Sequence, residues 1–145
     1  MSGTVLSGIS PATGKGIAVT IRDGRIAAAG PGEVPPGSPW LARGLIDLQV
    51  NGYGGVDFNG APVSSADALR ICRGLAALGV TRFLPTVITA SRDHMAEAMR
   101  AIAAARAAHP LVAAMMAGIH VEGPSISPLD GPRGAHPKEH VRPPD

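Results

Sequence analysis

Gly44-Leu45-Ile46-Asp47-Leu48-Gln49-Val50 is a short apolar run that stops at the glycine-rich segment Asn51-Gly52-Tyr53-Gly54-Gly55. Its length and its turn-rich end predict a strand feeding a loop. Downstream, Ser64-Ser65 offers a hydroxyl cap, and Ala68, Leu69, Cys72, Leu75 and Ala76 recur at helical spacing up to Gly79. Val80 to Val87, with Phe83, Leu84 and Pro85 inside it, predicts a second strand. Ser91 then caps an alanine-rich helix to the neighbourhood of Ala108, with Met95, Met99 and Ile102 on one stripe. Ala117 to Val121 predicts a third strand. The fold class is therefore α/β, the strands pairing in parallel beneath covering helices.

Upstream the pattern changes. Ile17, Val19 and Ile21 alternate, Asp23-Gly24 follows, and Ile26 leads a run of small alanines. Alternation and turn chemistry agree on a β-hairpin over residues 17–29. Between Pro31 and Pro39 the run Gly-Glu-Val-Pro-Pro-Gly-Ser suits neither a ladder nor a helix. It is read as a connector, so residues 1–40 and 41–145 are expected to form separate units.

Composition narrows the function classes. The chain has 145 residues, 45% of them hydrophobic, enough for a buried core. Thirteen basic against eleven acidic residues give a net charge of only +2, and the basic residues are dispersed, which argues against a nucleic-acid partner. Cys72 is the single cysteine, so an intrachain disulfide is excluded, and its place among Leu69, Ile71 and Leu75 suggests packing in a reducing compartment. The start of the chain lacks the basic and apolar regions of a secretory signal, and no apolar run reaches membrane-spanning length. A cytoplasmic protein with no membrane partner is expected.

In β/α barrels, catalytic groups sit at the carboxyl ends of strands, which directs attention to the loops after Val50, Val87 and Val121. His120-Val121-Glu122-Gly123-Pro124 carries the strongest signal: an acid ends an apolar strand, and a Gly-Pro pair turns the chain away. Alternation puts His120 and Glu122 on one face. A carboxylate in a barrel mouth must be paired, protonated or bound to a cation. From the pattern alone, a loop-end salt bridge and a cation ligand have equal claim.

Four segments in order resemble those of the N-acetylglucosamine-6-phosphate deacetylases, a family of the amidohydrolase superfamily. They are Gly44 to Asn59, Gly79 to Thr86, His120 to Pro124, and Gly134-Ala135-His136-Pro137. The resemblance implies the start of a (β/α)8 barrel, about three strands of it, preceded by part of a small β-sandwich domain. For the complete protein it implies a metal-dependent carbon-nitrogen hydrolase that converts N-acetylglucosamine 6-phosphate to glucosamine 6-phosphate and acetate. A homo-oligomer is expected, with a small amino sugar phosphate as partner.

Many amidohydrolases place a His-x-His pair after the first barrel strand, where Gln49 and Asn51 stand here. Neutral amides are poor ligands for transition metals, so that metal position is expected to be vacant. One divalent ion, zinc or similar, is implied at the remaining position, with Glu122 as its carboxylate ligand. The resemblance assigns the other ligands, two histidines, and the proton-shuttling aspartate to later strands outside these 145 residues. No catalytic residue is therefore assigned within the chain, and its own hold on metal is expected to be weak or absent.

Ala135 and His136 match the segment beside the sugar phosphate and are the expected substrate contacts, Ala135 through its backbone. His120 is expected to be a packed neighbour of the site, and His94, His109 and His140 to be solvated. Some residues depart from the family's pattern: Ser125 replaces an aromatic residue, Leu129 to Arg133 lengthen the next loop, and Arg43 replaces a proline. Arg133 fits an anionic substrate or plain solvent equally. The alternative functions are another amidohydrolase acting on a related N-acyl substrate, or a catalytically incomplete fragment needing a partner chain.

Overall fold

The computed structural model describes residues 3–144. The chain divides into two compact units, one up to Arg43 and one from Gly44 onward.

The first unit is an antiparallel sheet of β1 (Thr4–Ile9), β2 (Gly16–Arg22) and β3 (Arg25–Pro31), in that order. The β2–β3 hairpin turns at Asp23 and Gly24, whose φ angles of 50° and 71° are the left-handed pair that a two-residue turn requires. Strand β1 was not anticipated from sequence. Its pattern is weak, because Val5 and Leu6 are neighbours and both are exposed. After β3, Pro35, Pro36 and Gly37 carry the chain to Trp40, which bridges to Ile9.

The second unit holds the described core. Its elements run β4 (Leu45–Val50), a small β5–β6 hairpin (Gly52–Tyr53 and Val56–Asp57), α1 (Ser65–Ala77), β7 (Val80–Ile88), α2 (Arg92–Ala108), α3 (Pro110–Met115) and β8 (His120–Glu122). Strands β4, β7 and β8 pair in parallel, with β7 in the middle. Both long helices start where a serine can satisfy an orphan amide: Ser64 accepts from the Asp67 N–H, and Ser91 from the His94 N–H.

Strand β7 explains the layering. Phe83, Pro85 and Val87 alternate along it, Thr89 follows just past its end, and all four are buried. Against this face pack Ala68, Ile71, Cys72 and Leu75 of α1, Met95, Ala98, Ile102 and Ala105 of α2, and Val112 and Met115 of α3. Phe58 joins this core, its ring 6.5 Å from that of Phe83. Pro85 lacks an amide hydrogen, and the register between β4 and β7 slips around it, between Asp47 and Val50.

Two sequence expectations need correction. The third strand is shorter than Ala117–Val121 and begins at His120, and helix α3, absent from the sequence reading, precedes it. Six residues cannot display helical periodicity, but the local chemistry is favourable: Pro110 opens the helix, and the His109 side chain accepts from the Leu111 N–H. The loop after β4 is itself folded as β5–β6, with Gly54 and Gly55 at positive φ.

No helix among the described residues is long and apolar enough to cross a membrane. Phe83→Ala should cost about 3–5 kcal/mol in denaturant unfolding, because the ring is fully buried at the centre of the sheet. Burial also pushes the Cys72 thiol up to about 11 from 9.0. A pKa raised on folding gives stability that is complete below pH 9.0 and fades as pH rises towards 11. Alkylation of Cys72 at neutral pH should therefore require unfolding, which mass spectrometry with and without denaturant would read.

Candidate metal and substrate site

The carboxyl ends of β4, β7 and β8 open onto one cavity of about 360 Å³, lined by Gln49, Asn51, Asp57, Asn59, Ile88, Glu122, Ala135 and His136. Parallel pairing aligns Ile88 with Glu122, so the acid projects where the central strand ends. All three residues assigned a site role from sequence, Glu122, Ala135 and His136, line this cavity. Gln49 and Asn51 join them.

Glu122 is held at several points. Its Oε2 accepts a hydrogen bond of 2.9 Å from the Gln49 amide, and its Oε1 lies 3.4 Å from His136 Nε2. Its backbone carbonyl accepts from the buried Thr89 hydroxyl at 3.1 Å. Gly123 makes that contact possible: its φ is +86°, and a Cβ there would stand 2.0 Å from Thr89 Oγ1. The Glu122 side chain is 34% exposed, so its carboxylate still reaches the cavity.

Asn59 is a wall residue that sequence reading did not single out. Its amide donates to the Thr86 carbonyl at 2.9 Å and its side-chain oxygen accepts from the Ile88 N–H at 2.8 Å, the pair of bonds a neighbouring strand would make. Its own carbonyl is 2.9 Å from His94 Nε2. Asparagine imitating backbone is a known loop device, but only the folded register shows which strand it addresses.

The histidines divide differently from expectation. His120 is a packed neighbour, with Nδ1 3.4 Å from Thr86 Oγ1. His94, His109 and His140 are half-buried rather than solvated: His94 meets Asn59, His109 caps α3, and His140 lines a second depression with Ser91 and His94. Each satisfies a local backbone or packing need that position in sequence does not reveal.

Arg133 does not simply face water, as one of its two sequence readings had it. Its guanidinium donates to the His136 carbonyl at 2.6 Å and pairs with Asp130 at 2.7 Å, leaving 18% of the side chain exposed. It braces the loop that carries His136. The far end of that loop is tied by Arg142, which donates to the Ala90 and His140 carbonyls, while its backbone N–H reaches the Pro124 carbonyl.

The donor chemistry matches one ligand of a divalent ion, not a closed site. Among the described residues no three His, Cys, Asp or Glu side chains are grouped to hold a metal. His136 Nδ1 is buried without a hydrogen-bond partner among those residues, an orphan that a bound ligand would satisfy.

No family model matches the chain. Curated relatives do: N-acetylglucosamine-6-phosphate deacetylase of Homo sapiens is 40% identical over 104 residues, covering 70% of this chain and 24% of its own length. The Bacillus subtilis enzyme is 36% identical over 112 residues, 76% of this chain and 27% of its own. The solved deacetylase of Thermotoga maritima superposes with a TM-score of 0.81 at 27% identity, over 98% of this chain and 38% of its own. The chain is homologous to the N-terminal portion of the N-acetylglucosamine-6-phosphate deacetylases. It spans about a quarter of the length of those curated relatives. One further relative, from a Shewanella strain, is named N-acetylgalactosamine-6-phosphate deacetylase and is 41% identical over 103 residues, 70% of this chain and 24% of its own.

Gly123→Ala should destabilise the chain by more than the roughly 1–3 kcal/mol of positive-φ strain alone, since it adds a clash with Thr89. Gly24→Ala, whose Cβ would meet nothing, carries the strain alone and should cost less. Thermal unfolding of the two variants separates these contributions.

Proposed function

We propose that the full-length protein is a metal-dependent deacetylase that hydrolyses N-acetylglucosamine 6-phosphate to glucosamine 6-phosphate and acetate. In this reading Glu122 is the carboxylate ligand of one divalent ion, and Ala135 and His136 are substrate contacts. The observation that carries it is convergence: Gln49, Asn51, Glu122, Ala135 and His136 line one cavity at the carboxyl ends of parallel strands. The homology to deacetylases gives that cavity its chemistry.

The same reading makes the second unit the start of a (β/α)8 barrel and the first unit part of a β-sandwich. The parallel order β4-β7-β8 with helices packed on it, and the antiparallel order β1-β2-β3, support this. When bound, a divalent ion supplies Lewis-acid polarisation of the acetamide carbonyl and activation of water. The chain's own residues bind and orient. Glu122 places negative charge at the strand end, His136 presents an imidazole beside it, and Ala135, exposed and lining the cavity, would contact a polar ligand through its backbone.

The deciding experiment is acetate release by the full-length protein from N-acetylhexosamines with and without a 6-phosphate, before and after chelation. Turnover should require both phosphate and metal; equal turnover of unphosphorylated sugars would overturn the substrate, and full activity after chelation would overturn the metal. The galacto epimer belongs in the panel, because one relative is named for it. Glu122→Gln should lower metal affinity and kcat together, by at least the ~100-fold that losing even an outer-shell partner can cost. Loss of activity with unchanged metal affinity would contradict the ligand role.

A further inference from the structure

The geometry assigns to Gln49 a positioning role: its amide holds one oxygen of Glu122, Oε2, and so fixes the carboxylate with its other oxygen available to a cation. This rests on the reading of Glu122 as a metal ligand. Gln49 is thus an orienting residue placed where other amidohydrolases carry an imidazole.

Gln49 lies on β4 and Glu122 on β8, with β7 between them. Neighbouring strands are about 4.8 Å apart, so the two backbones are separated by roughly 9–10 Å. The side chains meet at 2.9 Å only because both are long and both extend over the end of β7. Asparagine, one methylene shorter, would fall short of the carboxylate.

The bond has a defined direction. An ionised carboxylate only accepts, so the amide nitrogen must donate, and Oε2 is the oxygen engaged. Oε1 faces His136 Nε2 at 3.4 Å, too long for a strong hydrogen bond, so it is the oxygen free to turn to another partner. The Thr89 hydroxyl already fixes the backbone of Glu122. Rotation of the side chain is the freedom that remains, and Gln49 removes it.

The choice of an amide has an electrostatic consequence. Lysine or arginine there would neutralise the carboxylate and compete with a cation. Histidine would itself be a good ligand. A neutral donor orients the acid, leaves its charge uncompensated, and occupies one lone pair of Oε2, which makes Oε1 the better placed oxygen for a cation.

The test uses the full-length protein. Gln49→Leu removes the donor at similar volume, Gln49→Asn keeps the donor but shortens it, and Glu122→Gln removes the charge. Zinc affinity by competition with a chelator, zinc per chain, and the metal-free melting temperature are measured for each. Both Gln49 variants should bind zinc ~10- to 100-fold more weakly, as loss of an outer-shell partner does, with unchanged stoichiometry and melting temperature.

Affinities within twofold of the unsubstituted protein for both Gln49 variants, while Glu122→Gln weakens binding, would overturn the inference and leave the ligand role standing. If Glu122→Gln leaves zinc binding unchanged, the ligand role fails, and with it the cation half of the inference. The orienting bond is read separately from the Gln49 side-chain amide NMR signals of the metal-free protein, which also serves if a Gln49 variant does not fold. Those signals should shift when Glu122 is changed to Ala; no shift would overturn the orienting role directly.

Discussion

Parallel pairing of β7 with a strand on each side is the constraint from which the rest of the second unit follows. A strand bonded on both edges and buried along one face has to be apolar, has to be covered, and ends where its neighbours end. The helices supply the cover through short residues, Ala68, Ala98 and Ala105, that let them approach the sheet, and through Ile71, Ile102 and Met115, which fill the space between. Because the strands run the same way, their carboxyl ends are brought together in space. A cavity there is a product of topology before any side chain is chosen.

The side chains then solve an electrostatic problem. A carboxylate at a strand end, partly withdrawn from water, needs compensation, and among the described residues it meets a neutral amide and an imidazole rather than an arginine, while the Thr89 hydroxyl holds its backbone carbonyl. The arginines near the cavity are engaged elsewhere through their terminal nitrogens: Arg133 on the His136 carbonyl and Asp130, Arg142 on backbone carbonyls and the Met95 sulfur. The Gln49 amide thus holds Glu122 without cancelling its charge, which is what the proposed ligand role asks of it.

Much of this architecture is written in local patterns. The hairpin at Asp23-Gly24, the helices capped by Ser64 and Ser91, and the strand through Phe83 follow from turn chemistry, capping and periodicity, each a property of neighbouring residues. Glu122 stood out because an acid closing an apolar strand is locally anomalous. What stayed hidden depends on distant partners. Asn59 addresses a strand 27 to 29 positions away, and the Gln49–Glu122 bond spans 73 positions. Helix α3 was hidden for the opposite reason, being too short to show a period, and β1 because adjacent apolar residues break the alternation.

The segment from Gly123 to Arg142 leaves the sheet and returns beside it, since the Arg142 N–H bonds the Pro124 carbonyl. Such a loop is closed like a purse: its mouth is tied by that backbone bond, and its middle, with the exposed Leu129 and Asp130, hangs outward. Extra residues in the middle lengthen the bag without moving the drawstring, at an entropic cost that grows only slowly with length. A change of length in that middle can therefore reshape the rim of the cavity that Ala135 and His136 line. The stitches beside Glu122 would be inherited unchanged while the outline above them varied.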